Sequence, residues 1–139
     1  MTTLEAVSIG RILTPGQHPG RQIEDLGPRE LAQVMVAIQR MRRDKINDIE
    51  DLSKRVADAT REATEVRARE YLTYTGPAQQ RDQASRLAAA EANFKADCLR
   101  AELDAAKDSL RLLKDDWDTC RSVGASQRAE KNAIEGYGS

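Results

Sequence analysis

One histidine, two cysteines and five aromatic residues (Tyr71, Tyr74, Phe94, Trp117 and Tyr137) are all that this 139-residue chain offers of the side chains most used in catalysis and metal binding. The histidine, His18, stands alone in a stretch rich in glycine and proline and reads as a solvated side chain. No Glu-x-x-His pair is present, which excludes the di-iron carboxylate bundles. There is no CxxC or Cys/His cluster to hold zinc, and neither a G-x-G-x-x-G nor a P-loop pattern to cradle phosphates. Cys98 and Cys120, placed on one helix, would lie roughly 33 Å apart at 1.5 Å per residue and so could not bridge each other within it. They read as two reduced thiols. The chain is accordingly expected to have no catalytic residues, no cofactor and no metal, and not to be an enzyme.

Long apolar runs are also missing. No stretch approaches the 18 or so residues that a membrane-crossing helix requires. The opening Met1-Thr-Thr-Leu-Glu-Ala has neither the basic nor the apolar region of a secretory signal. Charge of one sign is lacking too. Basic and acidic residues number ten and nine over 28–75, and eight and nine over 78–123, within a net charge of −1. This interleaving lacks the basic footprint of tight nucleic-acid binding or of a membrane-surface helix. Arg40-Met-Arg-Arg-Asp-Lys45 is the densest basic cluster. Asp115-Asp116-Trp117-Asp118 has no calcium-loop spacing and reads as a solvated helical face beside a buried indole.

Helix is what the chain does have. Residues 1–27 are punctuated by Gly10, Pro15-Gly16, Pro19-Gly20 and Gly27-Pro28, which leaves no room for a helical period. They are expected to form an irregular arm, in which Leu4, Val7, Ile9, Ile12 and Leu13 could make a short extended segment. Pro28 suits the first position of a helix. From there to Thr75 Leu31, Met35, Ile38, then Ile49, Leu52, Val56, Ala59, Ala63 and Val66 follow steps of three and four, with Arg42 and Lys45 at the seam positions between Ile38 and Ile49, a heptad seam. Gly76-Pro77 is expected to turn the chain, with glycine in the left-handed position that ends a helix. From Ala78 to Val123 the seam is Ala92, Ala96, Leu99, Leu103, Ala106, Leu110, Leu113, Trp117 and Cys120.

Two helices of similar length joined by so short a turn must run antiparallel. The predicted fold is therefore all-α: a long antiparallel two-helix coiled-coil hairpin (helix 28–75, turn 76–77, helix 78–123), with an irregular arm at 1–27 and a short extension at 124–139. Facing residues should have numbers summing to about 153, given a turn at Gly76-Pro77. That places Trp117 near Leu31, Met35 and Ile38, Lys45 opposite Asp108, and Arg42 near Leu110 and Arg111, with Arg42, Lys45 and Asp108 read as a polar layer that fixes register. A further set on the second helix, Leu87, Phe94, Cys98, Ala101, Ala105 and Leu112, is read as lying one position from the seam and widening the apolar face. It is the predicted surface for assembly into a homo-oligomeric bundle.

Two segments carry a family resemblance. Glu70-Tyr-Leu-Thr-Tyr-Thr-Gly-Pro-Ala-Gln-Gln-Arg81 is similar to the aromatic-turn-Arg joint of small helical-hairpin proteins from bacteriophages, especially phages of actinobacteria, and Arg121-Ser-Val-Gly-Ala-Ser-Gln-Arg-Ala-Glu130 resembles their closing motif. The resemblance spans about residues 50–130 and leaves the arm out. Genes of that family tend to lie among replication and recombination genes. The resemblance thus implies a non-enzymatic phage protein in the cytoplasm of the bacterial host, acting through protein partners as an interaction or scaffolding module accessory to DNA processing. Two other readings stay open: a virion or assembly component laced together by the hairpin and arm, and an inhibitor of a host protein.

Overall fold

The local rules that start the first helix also shape what precedes it. In the computed structural model, which describes residues 22–137, a single 3-10 turn covers Ile23–Asp25. The Asp25 N–H donates to the Gln22 carbonyl at 3.0 Å, and the Gln22 N–H donates back to Asp25 Oδ2 at 3.2 Å. Helix α1, Pro28–Thr73, follows at once. Its first intrahelical bond runs from the Leu31 N–H to the Gly27 carbonyl at 2.9 Å. Pro28 stands at the first helical position, where it has no N–H to waste. Leu26 and Leu31 flank the cap and share one buried cluster, the arrangement of a hydrophobic staple that fixes the angle at which the chain enters the helix.

Helix α2 runs Ala78–Tyr137. The two helices pack against each other as an all-α hairpin, with no strand among the described residues. Two boundaries differ from expectation. α1 ends at Thr73, two residues early, and Tyr74 to Pro77 make the connection. α2 does not stop at Val123 but passes through Gly124 for more than three further turns. A glycine inside a helix costs about 1 kcal/mol relative to alanine. The Ala-Ser-Gln-Arg-Ala-Glu-Lys segment after it consists largely of good helix formers, so one glycine does not end the run. Leu4, Val7, Ile9, Ile12, Leu13 and His18 lie outside the described residues.

The chain divides into two units, one holding the residues up to Lys45 and from Ser109 onward, the other Ile46–Asp108. The first unit has a core of large side chains: Ile23, Leu26, Leu31, Val34, Ile38, Leu113 and Cys120, with Met35, Met41, Trp117 and Val123 packed on its edge. Here the buried face of α1 is broader than a heptad seam. Val34 and Ala37 are buried and Met35 only half so. The 3-10 turn supplies the reason, since Ile23 and Leu26 join the cluster as a third layer beside the two helices. Gln127 Nε2 donates to the Leu26 carbonyl at 2.6 Å and ties that layer to α2.

The second unit is built from small residues. Ala59, Ala63, Ala89, Ala96 and Leu99 are buried, while Leu52 and Val56 are half-buried against Ala59, Ala96 and Leu99. Ser85 is wholly buried yet satisfied, its hydroxyl donating to the Asp82 carbonyl at 2.7 Å. Arg100 bridges the helices, donating to Thr60 Oγ1 at 2.8 Å while pairing with Asp97 at 2.7 Å.

Candidate interaction surfaces

The predicted seam residues divide between buried and half-buried positions. Leu31, Ile38, Leu99 and Leu113 are buried, while Met35, Ile49, Leu52, Val56, Leu103, Leu110 and Trp117 are half-buried. Trp117 packs against the cluster that contains Leu31 and Ile38. Val36, which the sum of 153 puts directly across from it, faces solvent instead.

The further set on α2 lies elsewhere than expected. Leu87, Phe94 and Leu112 are 79%, 69% and 65% exposed, and Cys98, Ala101 and Ala105 are exposed with them. Each follows a buried or half-buried residue by two: Ser85, Ala92, Ala96, Leu99, Leu103 and Leu110. Two steps of about 100° carry a side chain to the far side of a helix. The six residues therefore do not widen the packed face. They form a separate apolar row, which no other described residue covers.

The joint between the helices has a defined chemistry. The Arg81 guanidinium stands over the Tyr71 ring at 5.4 Å, a cation–π contact. Arg67 pairs with Asp82 at 3.2 Å, and Asp82 also meets Arg86 at 3.2 Å. Gly76 is not left-handed, and a Cβ there would come within 2.9 Å of Tyr74 Cε1, so any larger residue would make the Tyr74 ring shift. Arg42 and Lys45 are half-buried and Asp108 is exposed. The Arg42 Nε is buried without a hydrogen-bond partner, so that nitrogen takes no part in the expected ion-paired layer.

Two grooves flank the far part of α2 in the first unit. One, of about 450 Å³, has a floor of Leu31, Met35, Cys120 and Gly124 and a rim that includes Arg121, Arg128 and Lys131. The other, of about 650 Å³, is lined by Glu24, Asp118 and Glu130 together with Thr119, Ser122 and Ser126. Neither was legible in the sequence, because both include residues past Val123 that are helical, and the second also draws Glu24 from the 3-10 turn.

Cys120 lies at the floor of the basic groove, wholly buried. Burial pushes its thiol up to about 11, helped by the nearby charges of Asp116 and Glu24. A thiol so disposed stays protonated near neutrality and is a poor nucleophile. Asp116 is also raised above the ordinary aspartate value, first by burial and then by its neighbour Asp115. Cys98 is exposed and lines neither groove. Among the described residues no group of His, Cys, Asp and Glu is placed to hold a metal ion, and no helix is long and apolar enough to cross a membrane. No protein-family model, no curated protein and no solved structure matches the chain.

Proposed function

We propose that this chain acts by binding other protein chains, as a helical interaction or scaffolding module that carries out no chemistry of its own. The observation that carries the reading is the far row on α2. A seam opposite already satisfies the helix, yet Leu87, Phe94 and Leu112 stand in water. Exposed apolar residues are ordinary one at a time. At heptad spacing along one helix they form the stripe by which helices recognise one another. Self-association through this stripe is the simplest use of it. The phage resemblance adds the setting: an accessory to a DNA-processing assembly in the host cytoplasm, contacting its proteins and not its nucleic acid.

Sedimentation equilibrium tests the assembly. A dimer or larger species is expected at micromolar concentration, and Phe94→Glu should shift it toward monomer, because a buried unpaired carboxylate is costly. A wild-type monomer across that range would remove self-association from the reading. Copies of the chain in purified virions would replace the accessory role with a structural one.

A further inference from the structure

The basic groove of the first unit is a second surface of a different kind. Its floor is apolar, formed by Leu31, Met35 and Gly124 over the buried Cys120. Its rim carries Arg121, Arg128 and Lys131, and no acidic residue lines it. In a chain of net charge −1 with both signs interleaved, three cations on one apolar slot are a local departure. Arg121 and Arg128 are seven residues apart, two turns on one face of α2, and Lys131 follows three residues later. Lys131 meets Glu135 at 3.9 Å, but that pair is exposed and holds the ammonium only weakly.

We infer that this groove receives an acidic amphipathic segment of a partner protein, whose apolar side chains sit on Leu31, Met35 and Gly124 while its carboxylates meet Arg121, Arg128 and Lys131. The inference rests on the protein-binding reading above and adds a site and a partner chemistry to it. Charge argues against the chain's own residues 1–21 as occupant, since they hold Glu5 against Arg11 and Arg21. A second copy is no better a fit. On the reading above, the exposed row of Leu87, Phe94 and Leu112 in a second copy meets the same row of its partner and so is not the face that fills this groove. A bare polyanion such as DNA would use the rim and leave the apolar floor empty. An acidic amphipathic segment uses both, as helix-in-groove complexes do.

The test uses the full chain and three labelled probes read by fluorescence anisotropy at physiological salt: a peptide of leucines at helical spacing with glutamates between them, the same peptide with lysines for glutamates, and a single-stranded oligonucleotide of equal charge to the first. The glutamate peptide should bind at least tenfold more tightly than either of the others. The double substitution Arg121→Glu with Arg128→Glu should weaken it at least tenfold. Both arginines are exposed, and circular dichroism should show the helices intact. Ala32→Glu, which puts a like charge on the exposed rim from α1, should act in the same direction. Phe94→Glu should leave peptide binding unchanged while it disrupts self-association, so failure of the groove and failure of the far row are read separately. Equal binding of both peptides would overturn the inference. So would an oligonucleotide that binds as well as the glutamate peptide, or a double variant that loses self-association but not the peptide.

Discussion

Cys120 and Asp116 sit within one helical turn of each other, and both are held toward their neutral forms. The folded Cys120 thiol binds its proton more tightly than the ordinary value of 9.0, so its contribution to stability is whole below about pH 9 and is lost as pH rises toward 11. Thermal melts should show the wild type weakening across that window, with Cys120→Ala flattening the decline. A colorimetric thiol titration at pH 8 should find Cys98 reacting quickly and Cys120 only on unfolding. Asp116 follows the same sign from a lower starting value. Its contribution is present below the usual aspartate range and is lost as pH rises through the raised folded value. Asp116→Asn should therefore gain stability relative to the wild type as pH rises from the acid side of the aspartate range, which thermal melts over a pH series would show. Trp117 is half-buried at the edge of its cluster, so truncation to alanine should cost about 3 kcal/mol, near the low end for aromatic deletions. Denaturant midpoints would measure it.

At the scale of the element, α2 shows what heptad spacing can and cannot reveal. The unbroken steps from Ala92 to Cys120 made the seam legible, because burying one face of a helix imposes that period. Leu87, Phe94 and Leu112 were legible as a stripe, but their side of the helix was misjudged. Counting back one from Leu113 puts Leu112 beside the seam, whereas counting on two from Ala92 and Leu110 puts Phe94 and Leu112 opposite it. Ile23 and Leu26 were missed although Leu26-Gly-Pro-x-x-Leu31 is a staple signature, since the glycines and prolines before it made the whole segment read as irregular. The second helix is expected to end at Val123, with at most one or two further turns past Gly124, whereas it runs on to Tyr137. A Cβ at Gly124 meets Leu31 Cδ2 at 3.5 Å and Arg128 Nη1 at 3.6 Å, ordinary contact distances, and the backbone is not left-handed. Gly124→Ala should thus stabilise the protein by about 0.5–1 kcal/mol through lost unfolded-state freedom. A denaturant titration showing destabilisation instead would mean that the helix needs its glycine.

For the molecule as a whole, the two units draw on different sources of stability. The first buries isoleucine, leucine and valine in three layers, and each such side chain contributes about 1.5–3 kcal/mol. The second buries mostly alanines, which remove far less apolar area from water. Its buried serine and the Arg100–Thr60 bond add polar fit more than driving force. Hydrogen exchange should therefore find the slowest amides near Val34–Ile38 and Leu113–Cys120, and faster exchange around Ala59–Ala63 and Ala89–Ala96. The reverse order would show that close helix approach over alanine outweighs apolar area here. Raising the salt concentration should change little in the isolated chain, because the ion pairs found along the helices are exposed.

The hydrogen bond from Gln127 to the Leu26 carbonyl makes the last turns of α2 a clasp on the beginning of α1. A chain cut after Val123, at the point where the heptads run out, would keep every seam residue and still lose that clasp, together with Arg128 and Lys131. The severed protein should stay helical while Ile23 and Leu26 come loose and bind a hydrophobic dye. A protease that trims the far end of α2 would in this way act as a release, uncovering greasy surface at the other end of the sequence without touching it.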